Sequence, residues 1–182
     1  MTAVASLTLV VGLALVSAGC GSSSGSSLSP AEAKNARAVG ALVAATASIS
    51  AEMDRQHKLG GNLSQHIRTK GLTPALRHEL VRIFEPAVER FTLIRARLNT
   101  APAAADPLLA KTQRTLSLWL SRQIQSDQIA VTARTNAEYL RRTKRVSPQI
   151  ARVTRRLEVL APQVQKKYPG VSDWKFLPNF SS

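Results

Sequence analysis

Apolar side chains recur along this chain at helical intervals. Val39, Leu42, Thr46, Ile49 and Met53 are spaced 3-4-3-4, and Leu80, Phe84, Ala87, Phe91, Ile94 and Leu98 are spaced 4-3-4-3-4. Ile150, Val153, Leu157, Leu160 and Val164 repeat the 3-4-3-4 pattern. Residues three and four apart share one face of an α-helix, so each set forms a stripe that seeks a core. A further stripe, Leu109, Leu116, Leu120, Ile124, Asp127 and Val131, fades into Thr135 and Glu138. No β-branched run alternates with period two, and no strand is expected.

Four dipeptides punctuate these stripes: Ser29-Pro30, Thr73-Pro74, Asp106-Pro107 and Ser147-Pro148. Each places an N-cap side chain before a proline. The cap oxygen takes one of the unpaired N–H groups of the first turn, where proline's missing donor is no loss. Ser29 with Glu32 completes a capping box. The punctuation predicts four helices, the third running from residue 107 to about residue 145, roughly 58 Å at 1.5 Å per residue. Its second half is expected to project past helices one and two rather than to break near Ser126-Asp127. Pro86 and Pro162 fall inside helices two and four and should kink them. The expected fold is all-α: an up-down four-helix bundle over residues 29–168 on a flexible N-terminal tether, followed by an aromatic tail, residues 169–182.

Charge divides the chain. Residues 2–18 carry none and are rich in Ala, Val and Leu, but Thr2, Ser6, Thr8, Gly12 and Ser17 dilute them. The run is shorter than the roughly 20 apolar residues of a spanning helix and fits the apolar region of an export signal. It ends in Val16-Ser17-Ala18-Gly19-Cys20, which resembles the lipobox of bacterial lipoproteins. Ser17 stands where that family usually has leucine, and no Lys or Arg precedes the apolar run. The resemblance implies cleavage between Gly19 and Cys20, removal of residues 1–19, and acylation of Cys20, the only cysteine. Stable anchoring needs two or more acyl chains, each buried methylene adding about 0.8 kcal/mol. The Ser/Gly-rich residues 21–27 would give the domain an r.m.s. reach of roughly 15 Å. The protein is therefore expected to be exported and lipid-anchored, on the outer face of the plasma membrane or in the periplasm or envelope.

The net charge of +14 lies wholly beyond this segment. Between residues 141 and 167, Arg141, Arg142, Lys144, Arg145, Arg152, Arg155, Arg156, Lys166 and Lys167 face a single acid, Glu158. The plain reading is a solvated face plus cations at the C-terminus of helix three, where the macrodipole favours them. The functional reading is an anion-binding tip for an envelope polymer or lipid head groups. Base-stacking aromatics are not interleaved with the cluster, which disfavours nucleic acid.

Other chemistry is sparse. Asp54-Arg55-Gln56-His57 offers one carboxylate-x-x-His pair with no second copy, short of a helical di-metal site. His-Glu-x-x-His, phosphate-cradling and Cys-x-x-Cys motifs are missing. Gly-x-Ser-x-Gly occurs only as Gly21-Ser22-Ser23-Ser24-Gly25 inside the Ser/Gly tract, with no strand pattern before it or helix directly after it to make a nucleophile turn. No catalytic residue, metal or cofactor is therefore assigned. Asp127, on its stripe, is expected to be an edge carboxylate paired with Arg or Lys; the alternative is a polar ligand site in the bundle. The tail concentrates Trp174, Phe176 and Phe180. They either lie across the bundle or form a recognition segment for a protein partner or the membrane interface. The sequence thus reads as a non-catalytic binding or scaffolding module.

Overall fold

The computed structural model describes residues 28–178. The lipobox residues Gly19 and Cys20, the tether and Phe180 lie outside them. Within the described residues the chain is all-helical: α1 (Pro30–Gly60), α2 (Leu63–Lys70), α3 (Pro74–Thr100), α4 (Pro107–Thr132) and α5 (Asn136–Lys167).

Three of the four proline caps form. Ser29 accepts from the Glu32 N–H and its own N–H is bound by the Glu32 carboxylate at 2.8 Å, the reciprocal box. Thr73 accepts from the Leu76 N–H, and Asp106 Oδ1 from the Leu108 and Leu109 N–H groups. Pro86 and Pro162 lie inside α3 and α5, as expected.

The fourth start is corrected. Ser147-Pro148 lies in the middle of α5, and the expected third helix ends earlier, at Thr132, instead of continuing past helices one and two. The new boundary is Ala133-Arg134-Thr135. There the Thr135 hydroxyl accepts from the Glu138 N–H while the Glu138 carboxylate accepts from the Arg134 N–H. Thr135-x-x-Glu138 is therefore a near-capping box that marks a helix start. α5 continues through Pro148 because its buried stripe is continuous on both sides: Val146 before, Val153, Leu157, Leu160 and Val164 after. The Ser147 hydroxyl donates to the Thr143 carbonyl and the Gln149 amide to the Arg145 carbonyl, either side of the Lys144 carbonyl that Pro148 leaves without its helical donor. The short helix α2 has no counterpart in the four-helix expectation. It is set off by glycines at positive φ, Gly61 at 38° and Gly71 at 71°.

Cross-helix pairs fix the directions of the long helices. Asn35 meets Asp106, and Gln56 meets Asp127, so α1 and α4 run in parallel. Trp119 meets Thr154, and Lys167 meets Asp106, so α4 and α5 run antiparallel. Arg55 reaches the Ile83 carbonyl and Glu52 pairs with Arg90, so α1 and α3 are antiparallel. One core joins α1, α3, α4 and α5 through residues such as Leu42, Ile49, Phe91, Leu116, Leu120 and Leu157. The C-terminal segment belongs to that core, because Val171, Trp174 and Leu177 are buried in it. A smaller cluster, Leu63, Ile67, Leu80, Ile83 and Ala130, forms where α2 closes the end remote from Ser29.

Candidate functional site

A polar layer separates the two apolar clusters. It arises because the line of buried residues on α1, Ala38, Leu42, Ala45 and Ile49, spaced 4-3-4, continues at that spacing into polar residues, Glu52 and Gln56, while Asp127 occupies the matching level of α4. Asp127 is 2% exposed. Its Oδ2 accepts from the Gln56 amide at 3.0 Å and its Oδ1 from the Gln123 amide at 2.9 Å. The expected Arg or Lys partner is replaced by two neutral amides. Burial outweighs those bonds and raises the Asp127 carboxyl to about 7. Beside it Glu52, also buried, takes Arg55 in a two-pronged contact at 2.5–3.0 Å and Arg90 at 2.9 Å. Both arginines bond to Glu52; Arg55 acts on Asp127 only through space, as a minor opposing charge.

The basic cluster forms a stripe on α5. At 100° per residue, Arg141, Lys144, Arg145, Arg152, Arg155 and Arg156 fall within about 120° of arc. All six are exposed or half-exposed, opposite the buried Val146, Val153, Leu157 and Val164. The expected placement at the C-terminus of their own helix fails, because Arg141 to Arg145 lie in the first third of α5 and not in its last turn. Arg142 stands apart from the stripe. It is half-buried, pairs with Glu138 at 3.0 Å and donates to Thr132 Oγ1, tying α5 to the end of α4. Lys167 is also engaged, its ammonium holding Asp106 at about 2, below the usual carboxylate range.

The ends of the molecule can be assigned. Ser29, Asp106 and Lys167 lie at one end. Arg141 is 26 residues along α5 from Lys167, about 39 Å at 1.5 Å per residue. The N-terminal third of the stripe thus sits at the end remote from residue 28.

The tail residues divide. Trp174 is fully buried, its indole N–H donating to the Val171 carbonyl at 2.9 Å, so it is not displayed to a partner. Phe176 is half-buried against Trp119, ring centroids 5.0 Å apart. Trp119 in turn donates to Thr154 Oγ1 at 3.0 Å. Together these rings border a groove of about 430 Å³ between α4, α5 and the tail. Among the described residues no three His, Cys, Asp or Glu side chains converge, and no helix is long and apolar enough to cross a membrane.

Sequence reasoning alone does not single out Gln56, Gln123, Glu52 or Arg55. The available signal is the continuation of the α1 stripe in polar residues and the Glu52-x-x-Arg55 spacing. No family model, curated protein or solved structure matches this chain.

Proposed function

We propose that this chain is a lipid-anchored protein of the bacterial cell envelope, a non-catalytic helical-bundle binding or scaffolding module with an anion-binding face on α5. The observation that carries the reading is the stripe Arg141, Lys144, Arg145, Arg152, Arg155 and Arg156 opposite the buried face of one helix. The lipobox-like Val16-Ser17-Ala18-Gly19-Cys20 supports export and acylation of Cys20, and residues 21–27 would join that lipid to the bundle. With the start of α1 toward the bilayer and the bundle upright, Arg141 to Arg145 stand several Debye lengths from the head groups, one Debye length being about 8 Å at physiological salt. An anionic envelope polymer or an acidic protein face beyond the membrane then suits the stripe better than the anchoring bilayer. Nucleic acid is disfavoured by the implied location and the lack of stacking aromatics on the stripe.

The test is retention on immobilised poly(glycerol phosphate) by the full chain in neutral phosphatidylcholine nanodiscs. The comparison variant carries Arg141, Lys144, Arg145 and Arg152 changed to Gln. Salt-sensitive binding at about 0.15 M, lost in the variant, supports the reading. No binding by wild type, or equal binding by both, refutes it.

A second reading, a small-ligand site beside Asp127, is favoured by one observation: Gln123 both binds the Asp127 carboxyl and lines the groove beside Trp119.

A further inference from the structure

The groove between α4, α5 and the C-terminal segment has the makings of a ligand site of its own. Its floor is apolar and aromatic: Met53, Trp119, Ile150 and Phe176. The rings are set before any ligand arrives. Trp119 is held edge-on to Phe91, centroids 6.3 Å apart, and by its bond to Thr154, and Phe176 packs on Trp119. The hollow exists because α5 presents small side chains along it, Ser147, Ala151 and Thr154. A volume of about 430 Å³ falls within the usual range of small-molecule sites, and pre-organised walls spare the ordering cost of binding.

Charge at the rim selects the head group. Arg155 lines the groove and is exposed, with Arg152 one turn away on the same side of α5. Glu158 lies on the same rim and is already engaged. One guanidinium fork grips a flat carboxylate in bidentate fashion, and the Glu158 carboxylate beside it repels a dianionic phosphate more strongly than a monoanion. We propose that this groove binds a long-chain carboxylate, its alkyl chain along Trp119, Ile150 and Phe176 and its head on Arg155. The proposal depends neither on the lipid anchor nor on polymer binding by the rest of the stripe.

The experiment is photo-crosslinking of the full chain in phosphatidylcholine nanodiscs with a diazirine-bearing hexadecanoate, mapped by peptide mass spectrometry. Parallel arms use the matching lysophosphatidic acid and the matching alcohol. Two variants accompany wild type. Ala151→Trp fills the hollow from an exposed position, and Arg155→Gln removes the charge; helix content by circular dichroism checks that both fold. Labelling of peptides bearing Trp119 or Ile150, reduced at least five-fold by Ala151→Trp and several-fold by Arg155→Gln, is expected for the carboxylate. The alcohol and the phosphate should label these peptides less. Groove labelling unchanged by Ala151→Trp, or none above that of other helical peptides, overturns the site. Equal labelling by the alcohol, or stronger labelling by the phosphate, overturns the carboxylate assignment.

Discussion

Replacing Asp127 with Asn should abolish a pH dependence of folding stability that its burial builds into the core. The carboxyl is 2% exposed and titrates near 7, against about 3.9 in an unfolded chain. Between those values the folded protein keeps a proton that the unfolded chain has released. Stability is therefore fully present below about pH 4, falls as pH rises, and levels off above about pH 7. A gap of about three pH units corresponds to up to about 4 kcal/mol. Asn has the same shape and no titration. One of the two glutamine amides can turn to present its oxygen to the new Asn NH₂, just as it would to a protonated Asp127. The assay is urea unfolding followed by tryptophan fluorescence from pH 4.5 to 8.5. Other titrating groups cancel in the difference between variant and wild type. Asp106, held near 2, also acts in a separate window, losing its contribution only as pH falls below about 4. The stability of the Asp127→Asn variant relative to wild type should climb by several kcal/mol across the range. A difference that stays constant to within about 1 kcal/mol would refute a buried, proton-holding Asp127.

Other perturbations test the fold around it. Thr135→Ala should cost about 1 kcal/mol as the loss of an N-cap, whereas Ser147→Ala, inside α5 and exposed, should change stability by less than about 0.5 kcal/mol in thermal unfolding. Equal costs at the two positions would return the helix start to Pro148. Trp174→Ala removes a fully buried indole from the main core and should cost about 3–5 kcal/mol. A loss below about 1 kcal/mol would mean that the C-terminal segment does not pack on the bundle.

Much of this architecture is legible in the residues. Leu42, Ile49, Leu80, Phe91, Leu120 and Leu157 are buried where their spacing places them, because a core that joins four amphipathic helices rewards helical periodicity directly. Ser29, Thr73 and Asp106 cap because nothing competes with the local hydrogen bond. Ser147 fails because the same dipeptide can sit inside a helix when the buried stripe runs on through it. Tertiary burial of Val146 and Val153 outweighs one lost backbone bond. Thr135-x-x-Glu138, the boundary that does form, lacks a proline and is easily passed over. The polar layer is the harder case. Position on a stripe tells that Asp127 faces inward, but its partners come from residue 56, on another helix, and from residue 123, one turn back. Amides, unlike charges, give no sequence signal of being the chosen partner. The alignment of the six cations on one face of α5 becomes visible only once the helix is known to start at residue 136 and not at residue 148.

The proposed lipid on Cys20 would tether this basic module to a membrane while its stripe meets an anion beyond the head groups. Intact-mass analysis of the chain purified from a bacterial host membrane tests it most directly, with Cys20→Ala beside it. A lipid-anchored protein is expected as a mature chain that begins at residue 20 and carries diacylglycerol on the thiol. The Cys20→Ala variant is expected to lack the acyl mass and to leave the detergent phase. An unmodified Cys20 in a chain that retains residues 1–19, or a Cys20→Ala variant that still fractionates as an integral membrane protein, would contradict the lipid anchor.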